Sequence, residues 1–265
     1  MTKAPGALCG AALRIAKLAT GGYEVIALGG SWHGTTGASA AASYASDRRG
    51  YGPKVPGGHV IPEPNAYRCP VEHCRDLISA FKQDAVKLRY DDWADLMGYC
   101  DRSAAPVGRY LLDLHGESRE GYPANDALCN ALQVLNHLQD CGDDRRSLDR
   151  VYIIGDWMAE EGSLIEDIDR QALTPGLRRV VDRMLDGCDA LMADARALPS
   201  ILKSRSLAME SAVIVNLAAR LIERLRKGDP LARRVALSKL DFAKAGFGGA
   251  VTGFFAAGTK RGAAR

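Results

Sequence analysis

The sequence predicts a mainly α-helical protein that carries a short α/β arm at its N-terminus. From residue 77 onwards, six segments place apolar residues at three- and four-residue spacing, and no segment between 77 and 245 has the alternation of a strand. Residues 1–76, by contrast, contain 12 of the 28 glycines and 6 of the 11 prolines. We therefore expect a helical domain over 77–245 and a flexible tail over 246–265. The arm, 1–76, is not expected to fold as an independent domain.

The predicted helices are bounded by residues typical of helix ends. Thr174-Pro175 reads as an N-cap followed by a first turn, Asn125 as a start, and Gly116, Gly142 and Gly228 as stops. The six helices are expected over 78–89, 93–105, 106–114, 126–140, 175–198 and 207–227.

The arm has a different pattern, in which short elements alternate. Helical spacing over 11–18 ends at Gly21-Gly22, and the apolar run 23–28 is typical of a buried strand. A loop over 29–34 and a helix of small residues over 36–44 follow, and 50–70 is rich in glycine and proline and predicts irregular structure. One strand with two helices buries too little apolar surface to make a core.

Composition excludes several classes of protein. No run reaches the roughly 18 apolar residues that a membrane span needs, and a formal charge of +3 is too small to indicate nucleic-acid binding. Seven cysteines, an odd number without a regular framework, favour a cytoplasmic protein over a secreted one. Cys69, His73 and Cys74 lack a second pair at finger-like spacing, so a structural zinc is not expected.

The sharpest chemical pattern lies in the predicted helix that ends NALQVLNHLQDCGDD. At 100° per residue, Gln133, Asp140 and Asp144 fall within about 40° of one another, and Asn136 lies about 60° from Gln133. Two carboxylates one turn apart repel each other unless a cation lies between them. Hard oxygen ligands suit Mg²⁺, which usually keeps waters and bridges to a substrate phosphate.

An alternative explains the same spacing without chemistry. The two aspartates can form a solvated acidic face at a helix end, with Arg145 and Arg146 as partners. Downstream, Arg150 and Tyr152 can direct a guanidinium and a phenol at the same diphosphate. Spacing alone leaves both interpretations open.

The region 77–245 resembles the squalene/phytoene synthases, nearest the hydroxysqualene synthases of the bacterial hopanoid pathway. The stretches that carry the resemblance are AFKQDAVKLRYDDWADLMGYC, SAAPVGRYLLDLHGE, NALQVLNHLQDCGDDRRSLDRVYI and LSKLDFA. It implies a truncated all-α isoprenoid synthase fold in which Asp140 and Asp144 form the second aspartate-rich motif, which binds Mg²⁺ and diphosphate. The matching residues implied to be catalytic are Tyr99, Gln133, Asn136, Arg150 and Tyr152; Asp149 also matches.

The activity implied by this resemblance is conversion of presqualene diphosphate, which is made from two molecules of farnesyl diphosphate, to hydroxysqualene. Departure of the diphosphate leaves a cation, which an apolar pocket shields until water captures it. No redox cofactor is implied. The family's first aspartate-rich motif has no counterpart before residue 80, and Asp91 and Asp95 match a different helix. Ionisation is therefore expected to be slow.

Residues 1–76 resemble class III pyridoxal-phosphate aminotransferases, nearest the dialkylglycine decarboxylases. The resemblance rests on GALCGAALRIAKLATGGYEVIALGGSWHGTTGASA and RRGYGPKVPGGHVIPEPNAYRCP. It implies that the aromatic side chain of the Ser31-Trp32-His33-Gly34 motif stacks on pyridoxal phosphate; a loop packed on a core explains that motif equally simply. Since the family's Schiff-base lysine has no counterpart in 77–265, productive use of this cofactor is not expected. Aminotransferase chemistry and a non-catalytic chimera, joined near residues 75–77, remain the alternatives.

The segment 221–234 interleaves Arg and Lys with Leu, Ile and Val, which is typical of an amphipathic surface helix. Because the implied substrates are long hydrocarbons, peripheral contact with a membrane is a further expectation. Oligomeric state is left open by the sequence.

Overall fold

The computed structural model of the protein describes residues 5–28, 31–33, 37–43, 56–61 and 72–256. The chain divides into two compact units, Met1–Val71 and Glu72–Arg265. Most of the described residues are helical, and both strands found among them lie in the first unit. The mainly α-helical class that the sequence predicts is therefore confirmed.

The first unit pairs two short strands side by side. Its elements are α1 (Pro5–Thr20), β1 (Val25–Leu28), α2 (Gly37–Ala40) and β2 (Gly58–Ile61). The strands run parallel, with Val25 opposite Gly58. The prediction of irregular structure over 50–70 is wrong for β2, because a β-branched pair, Val60-Ile61, follows the turn there and completes a ladder with β1.

The second unit is a bundle built around one long helix. Its helices are α3 (Glu72–Asp84), α4 (Trp93–Ser103), α5 (Ala105–Leu114), α6 (Tyr122–Leu148), α7 (Gly155–Glu160), α8 (Pro175–Ala195), α9 (Leu198–Ile201), α10 (Arg205–Lys227) and α11 (Lys239–Ala256). α6 packs against α4, α5, α8 and α10. Fully buried side chains such as Leu135 and Leu138 on α6 and Leu177 on α8 belong to one continuous core.

Capping side chains fix the starts of α8 and α4, whereas the prediction of a helix start at Asn125 is wrong because α6 begins at Tyr122 and Asn125 lies buried inside it. The Thr174 hydroxyl accepts a hydrogen bond from the Leu177 N–H at 3.2 Å, and Pro175 occupies the first turn of α8. Asp92 caps α4 by accepting from the Asp95 N–H at 2.8 Å. Each cap satisfies a backbone donor that the first helical turn would otherwise leave without a partner.

The helix that carries the acidic motif is longer than the sequence predicts. Gly142 was expected to end it, yet α6 continues to Leu148 and ends at Asp149, whose φ of 52° is left-handed. A Cβ at Gly142 would lie 3.2 Å from a methyl of Leu231, so this glycine permits close packing and is not a stop. Asp140 and Asp144 therefore belong to one uninterrupted helix.

Helix α11 occupies the start of the segment that was expected to be a flexible tail. It extends to Ala256 and packs on α10, so 246–256 is helical; residues 257–265 lie outside the described residues. A Cβ at Gly249 would lie 2.6 Å from the Val213 backbone nitrogen. The glycines that predict fraying serve here to let two helices approach closely.

In the described part of the chain, none of the helices combines the length and the hydropathy that crossing a bilayer requires.

Candidate active site

The candidate site is assembled where the C-terminal half of α6 meets the segment that follows it. The left-handed residue Asp149 reverses the chain, and the Arg150 N–H donates to the Asp144 carbonyl at 3.2 Å. The Val151 N–H then donates to the Leu88 carbonyl, and the Gly155 N–H to the Tyr90 carbonyl, each at 2.9 Å. Residues 150–155 therefore run beside 88–91, and the reversal turns Tyr152 back towards α6.

Four buried rings form the interior of the site. His137 stacks on Tyr152 with ring centroids 3.5 Å apart and an angle of 12° between the planes. Tyr90 and Tyr99 lie 5.4 and 5.8 Å from Tyr152, centroid to centroid. Aromatic faces attract positive charge, so a cation inside this cluster would be stabilised.

The phenols of the cluster are hydrogen-bonded to one another and to a carboxylate. The Tyr99 hydroxyl donates to Asp84 Oδ2 at 3.1 Å, and the phenols of Tyr99 and Tyr152 share a hydrogen bond. Arg150 Nη2 donates to the Asp84 carbonyl at 2.7 Å. Burial raises the pKa of both tyrosines above the ordinary value, so both stay neutral near pH 7.

His137 connects the amide and acidic parts of the helix face. The Gln133 amide nitrogen lies 3.1 Å from His137 Nε2. With that amide as the donor, Nε2 accepts and the ring proton is on Nδ1, which lies 4.0 Å from Asp144 Oδ2. Burial, with a smaller effect of the Arg150 charge, lowers the pKa of His137 to about 3, so the ring is neutral.

The two aspartates of the motif have different surroundings. Burial, followed by the neighbouring Asp140 carboxylate, raises the pKa of Asp144. Asp140 forms an ion pair with the two terminal guanidinium nitrogens of Arg234, and Nη2 lies 3.3 Å from Oδ2. One carboxylate is therefore neutralised by a cation of the chain, whereas the other faces a neutral imidazole.

This pair fits part of a magnesium site. Within the residues that the structure describes, no group of three or more His, Cys, Asp or Glu side chains could hold a metal ion. Two repelling carboxylates one turn apart nevertheless supply the hard oxygen donors that Mg²⁺ prefers, and Mg²⁺ takes its remaining ligands from water and substrate phosphate. The protein contribution is two carboxylates at most, and Asp140 must exchange its contact with Arg234 to take part.

The structure brings most of the predicted residues together. Tyr99, Gln133, Arg150 and Tyr152 are all linked within this cluster, and Asp144 adjoins it through His137. Asn136 lies on the same helix with its side chain exposed.

The neighbouring acidic residues have structural roles. Asp149 is paired with Arg89 at 2.6 Å and with Arg145, which stabilises the turn after α6. Asp95 accepts from the Lys87 ammonium at 2.5 Å and from the Asp91 N–H at 3.2 Å. The Asp95 carboxylate is therefore held by contacts within the chain.

The residues of the alternative function lie in the first unit. The Trp32 side chain is 48% exposed, and the His33 N–H donates to the Ser43 hydroxyl at 2.9 Å; Gly34 lies outside the described residues. His73, one of the three residues weighed as zinc ligands, is buried, and its Nε2 lies 3.1 Å from Asp113 Oδ2. Cys69 is outside the described residues.

Sequence reasoning missed three residues that shape the site. His137 lies within about 40° of Gln133 and Asp144 on the helix, so the periodicity that identified the motif could have included it. Asp84 is partly buried beside Tyr99, and only its place in one of the resembling stretches hinted at a role. Arg234 is 94 residues from Asp140, and no spacing argument could have joined them.

Comparison with known proteins agrees with this geometry. The sequence model of the squalene/phytoene synthase family matches residues 58–241, which begins earlier than the predicted start near residue 77. Hydroxysqualene synthase of Rhodopseudomonas palustris is 42% identical over 179 residues, which cover 68% of this chain and 61% of that protein. The crystal structure of squalene synthase HpnC from Alicyclobacillus acidocaldarius has a TM-score of 0.56 and 34% identity, covering 60% of each chain.

A second, shorter similarity concerns a different class of protein. An uncharacterized aminotransferase of Schizosaccharomyces pombe is 56% identical over 55 residues, 21% of this chain and 12% of that protein. The family match, in contrast, covers more than half of the chain and includes every residue of the site on α6 and after it. The chain therefore belongs to the squalene/phytoene synthase family.

Proposed function

We propose that the chain catalyses the Mg²⁺-dependent conversion of presqualene diphosphate to hydroxysqualene, a reaction of hopanoid and squalene biosynthesis. The observation that carries the proposal is the position of Asp144, an acid of the α6 motif, beside a buried cluster of three tyrosines and a neutral histidine. A diphosphate at the acidic end would place its reacting carbon beside the ring cluster. The name of the relative from Rhodopseudomonas palustris supports this choice of reaction.

The residues have distinct tasks in this reaction. Bound Mg²⁺ would neutralise the diphosphate as it departs. Asp140 and Asp144 would hold the ion, and Arg234, once released from Asp140, would donate to phosphate oxygens. The faces of Tyr90, Tyr99 and Tyr152 would stabilise the carbocation, and their neutral hydroxyls offer donors without a competing negative charge. Water adds to the cation and gives up a proton to solvent or diphosphate, which yields the alcohol.

The resemblance implies two aspartate-rich motifs, and we infer that this chain supplies only the second. The chain spans about 61% of the length of the Rhodopseudomonas palustris relative, and the first aspartate-rich motif has no counterpart before residue 80. Two carboxylates without an opposing pair bind Mg²⁺ and diphosphate weakly. We therefore expect slow turnover that needs Mg²⁺ at higher concentration than a site with both motifs.

The test is product analysis with presqualene diphosphate and Mg²⁺, with farnesyl diphosphate in parallel. Asp144→Asn should lower the yield of hydroxysqualene at least about 100-fold, since removing a group that acts on transition-state charge typically costs that much. Asp143→Asn is the matched control, because its exposed carboxylate pairs with Arg146 and faces away from the rings. Equal yields from wild type and Asp144→Asn would contradict the proposal.

A second candidate function rests on the similarity of the first unit to an aminotransferase. The match covers only 55 residues, and the lysine that would bind pyridoxal phosphate has no counterpart in residues 77–265. We propose that this unit is a fragment joined to the synthase region and that it is not a working cofactor site. A visible absorption band after incubation with pyridoxal phosphate, lost in Trp32→Ala, would reverse that assignment.

A further inference from the structure

Helix α5 carries large apolar side chains on the side that faces solvent. Val107, Tyr110, Leu111 and Leu114 are 48%, 43%, 43% and 65% exposed. Their three- and four-residue spacing places them on one side of the helix, and we call them the α5 stripe. Together they leave on the order of 400 Å² of mostly apolar surface in water, which is within the range of patches that mark interaction sites.

The charged residues of α5 point the other way, into the bundle. Arg109 donates to both carboxylate oxygens of Asp126 on α6, at 2.9 and 2.6 Å. Asp113 accepts from the Tyr122 hydroxyl at 2.6 Å, and its other oxygen lies 3.1 Å from Nε2 of the buried His73. A helix at the surface of a bundle normally keeps its charged residues outside. The reverse arrangement in α5 is typical of a helix that is covered on both sides.

The neighbouring helix α3 also leaves large apolar side chains uncovered. It packs on α4 and α5 and buries Ala80 there. Ile78 and Phe81, three residues apart, are 52% and 63% exposed. Because α3 is the first helix of the second unit, two adjacent helices at the start of the bundle lack an outer layer.

The length of a relative indicates where a covering element comes from. The match to hydroxysqualene synthase of Rhodopseudomonas palustris includes 61% of that protein, so 39% of it is not matched by this chain. The residues that precede α3 form the first unit, which resembles an aminotransferase instead. An element that covers α5 and α3 from outside is therefore expected in the unmatched part of the relative.

We propose that the α5 stripe, together with Ile78 and Phe81, binds a separate helical polypeptide that supplies the part of the fold not matched here. Apolar side chains of that partner at three- and four-residue spacing would pack between those of α5. A second copy of this chain fits less well, because it could cover the stripe but would bring no further carboxylates to Asp140 and Asp144. The inference rests on the proposed function only for the partner's role in catalysis; the binding itself needs no prenyl diphosphate.

The experiment is co-expression of the full chain with a tagged fragment of the Rhodopseudomonas palustris protein that ends where its match to this chain begins. Wild type should co-purify with the fragment in equal amounts, and sedimentation velocity on dilution should give a dissociation constant of about 10 μM or lower. Leu114→Lys should weaken binding at least about 10-fold, because it places an unpaired charge in the interface. Its thermal transition, followed by circular dichroism, should stay as in wild type, because Leu114 is exposed.

Leu164→Lys is the matched control. Leu164 is 66% exposed, about as much as Leu114, and precedes the short helix Ile165–Asp169. Asp169 pairs with Arg145, which lies about 28 Å along α6 from Asp126, the partner of α5. Binding of the fragment should therefore be unchanged in this variant.

Product analysis separates this inference from the proposed reaction. With presqualene diphosphate and Mg²⁺, the complex should form hydroxysqualene about 100-fold faster than the chain alone. A complex that forms no product would support the docking surface and contradict the reaction, whereas product from the chain without any complex would do the reverse. Equal affinities of wild type and Leu114→Lys for the fragment would overturn the proposal. So would a dimer of the chain that Leu114→Lys dissociates and the fragment does not displace, which would assign the stripe to a second copy.

Discussion

The two units of the chain differ in what their apolar residues achieve. In the described part of the first unit, the buried core consists of Ala27 and Ala42, with Leu13 and Val25 packed against it. Its strand β1 leaves Ile26 68% exposed. In the second unit, side chains from α4, α6, α8 and α10 join in one core. Local patterning yields regular secondary structure in both units, but only layers that cover each other remove apolar surface from water.

Expressing the two units separately should show the largest difference between them, in whether each unfolds cooperatively. Residues 72–265 expressed alone are expected to keep the cooperative thermal transition of the whole chain, because the large core lies entirely within them. Residues 1–71 alone should show no cooperative transition. Differential scanning calorimetry of the three chains measures both outcomes. A fragment 72–265 that loses its transition would show that the first unit contributes to folding.

Truncating one apolar side chain in each unit should change the free energy of unfolding by amounts that differ almost as much. Leu135 is fully buried on α6, so Leu135→Ala should lower the free energy of unfolding by about 2–5 kcal/mol. Ile26 is mostly exposed, and Ile26→Ala should change it by less than about 0.5 kcal/mol. Urea denaturation followed by circular dichroism compares them. Similar losses would mean that the first unit is part of the same cooperative core.

The same contrast shows how far the sequence could predict the molecule. Helical periodicity found α4, α5, α6, α8 and α10 and placed Gln133, Asp140 and Asp144 on one face, because those features depend on local geometry. It predicted α3 several residues too late and missed α11. It misjudged Gly142, Gly249 and the strand β2, whose roles depend on the backbone or side chain that packs against them. Glycine is ambiguous in sequence, since it both ends helices and permits close approach.

For the candidate site as well, the sequence predicted what depends on local helix geometry and not what depends on tertiary packing. Its residues on α6 could be recognised from their spacing, and the catalytic roles proposed for them rest on the family resemblance. The partners of that part, Asp84 for Tyr99 and Arg234 for Asp140, are set by tertiary packing across 15 and 94 residues.

Acidification should distinguish a buried histidine of the second unit from an exposed one of the first. The pKa of His137 is about 3 in the folded chain and about 6.5 when unfolded, so the unfolded state binds more protons between these values. Stability is therefore lost as pH falls below about 6.5, and His137 should account for about 2–3 kcal/mol of the loss between pH 7 and 4.5.

Urea midpoints at the two pH values measure this effect. His137→Phe retains a ring beside Tyr152 and should reduce the pH dependence by that amount. His59→Gln, at a residue whose side chain is 56% exposed, should leave it unchanged. An unaltered slope in His137→Phe would show that His137 is protonated in the folded protein.

Replacing one helical glycine in each unit with alanine should give the smallest difference in the free energy of unfolding. No atom lies within 4 Å of a Cβ built at Gly98 in α4 or at Gly10 in α1. Gly98→Ala should raise the free energy of unfolding by about 0.5–1 kcal/mol, because alanine loses less backbone entropy in a helix. Gly10→Ala should leave the main transition unmoved. A rise in both variants would place α1 inside the cooperative unit.

The ion pair between Asp140 and Arg234 has a consequence for the order in which the chain matures. It closes a loop of 94 residues, and contacts so distant in sequence form late in folding. On a growing chain, the α6 motif leaves the ribosome long before residue 234 is made. During that interval two neighbouring carboxylates face each other without the guanidinium, and any divalent cation that binds then does so before its competitor exists.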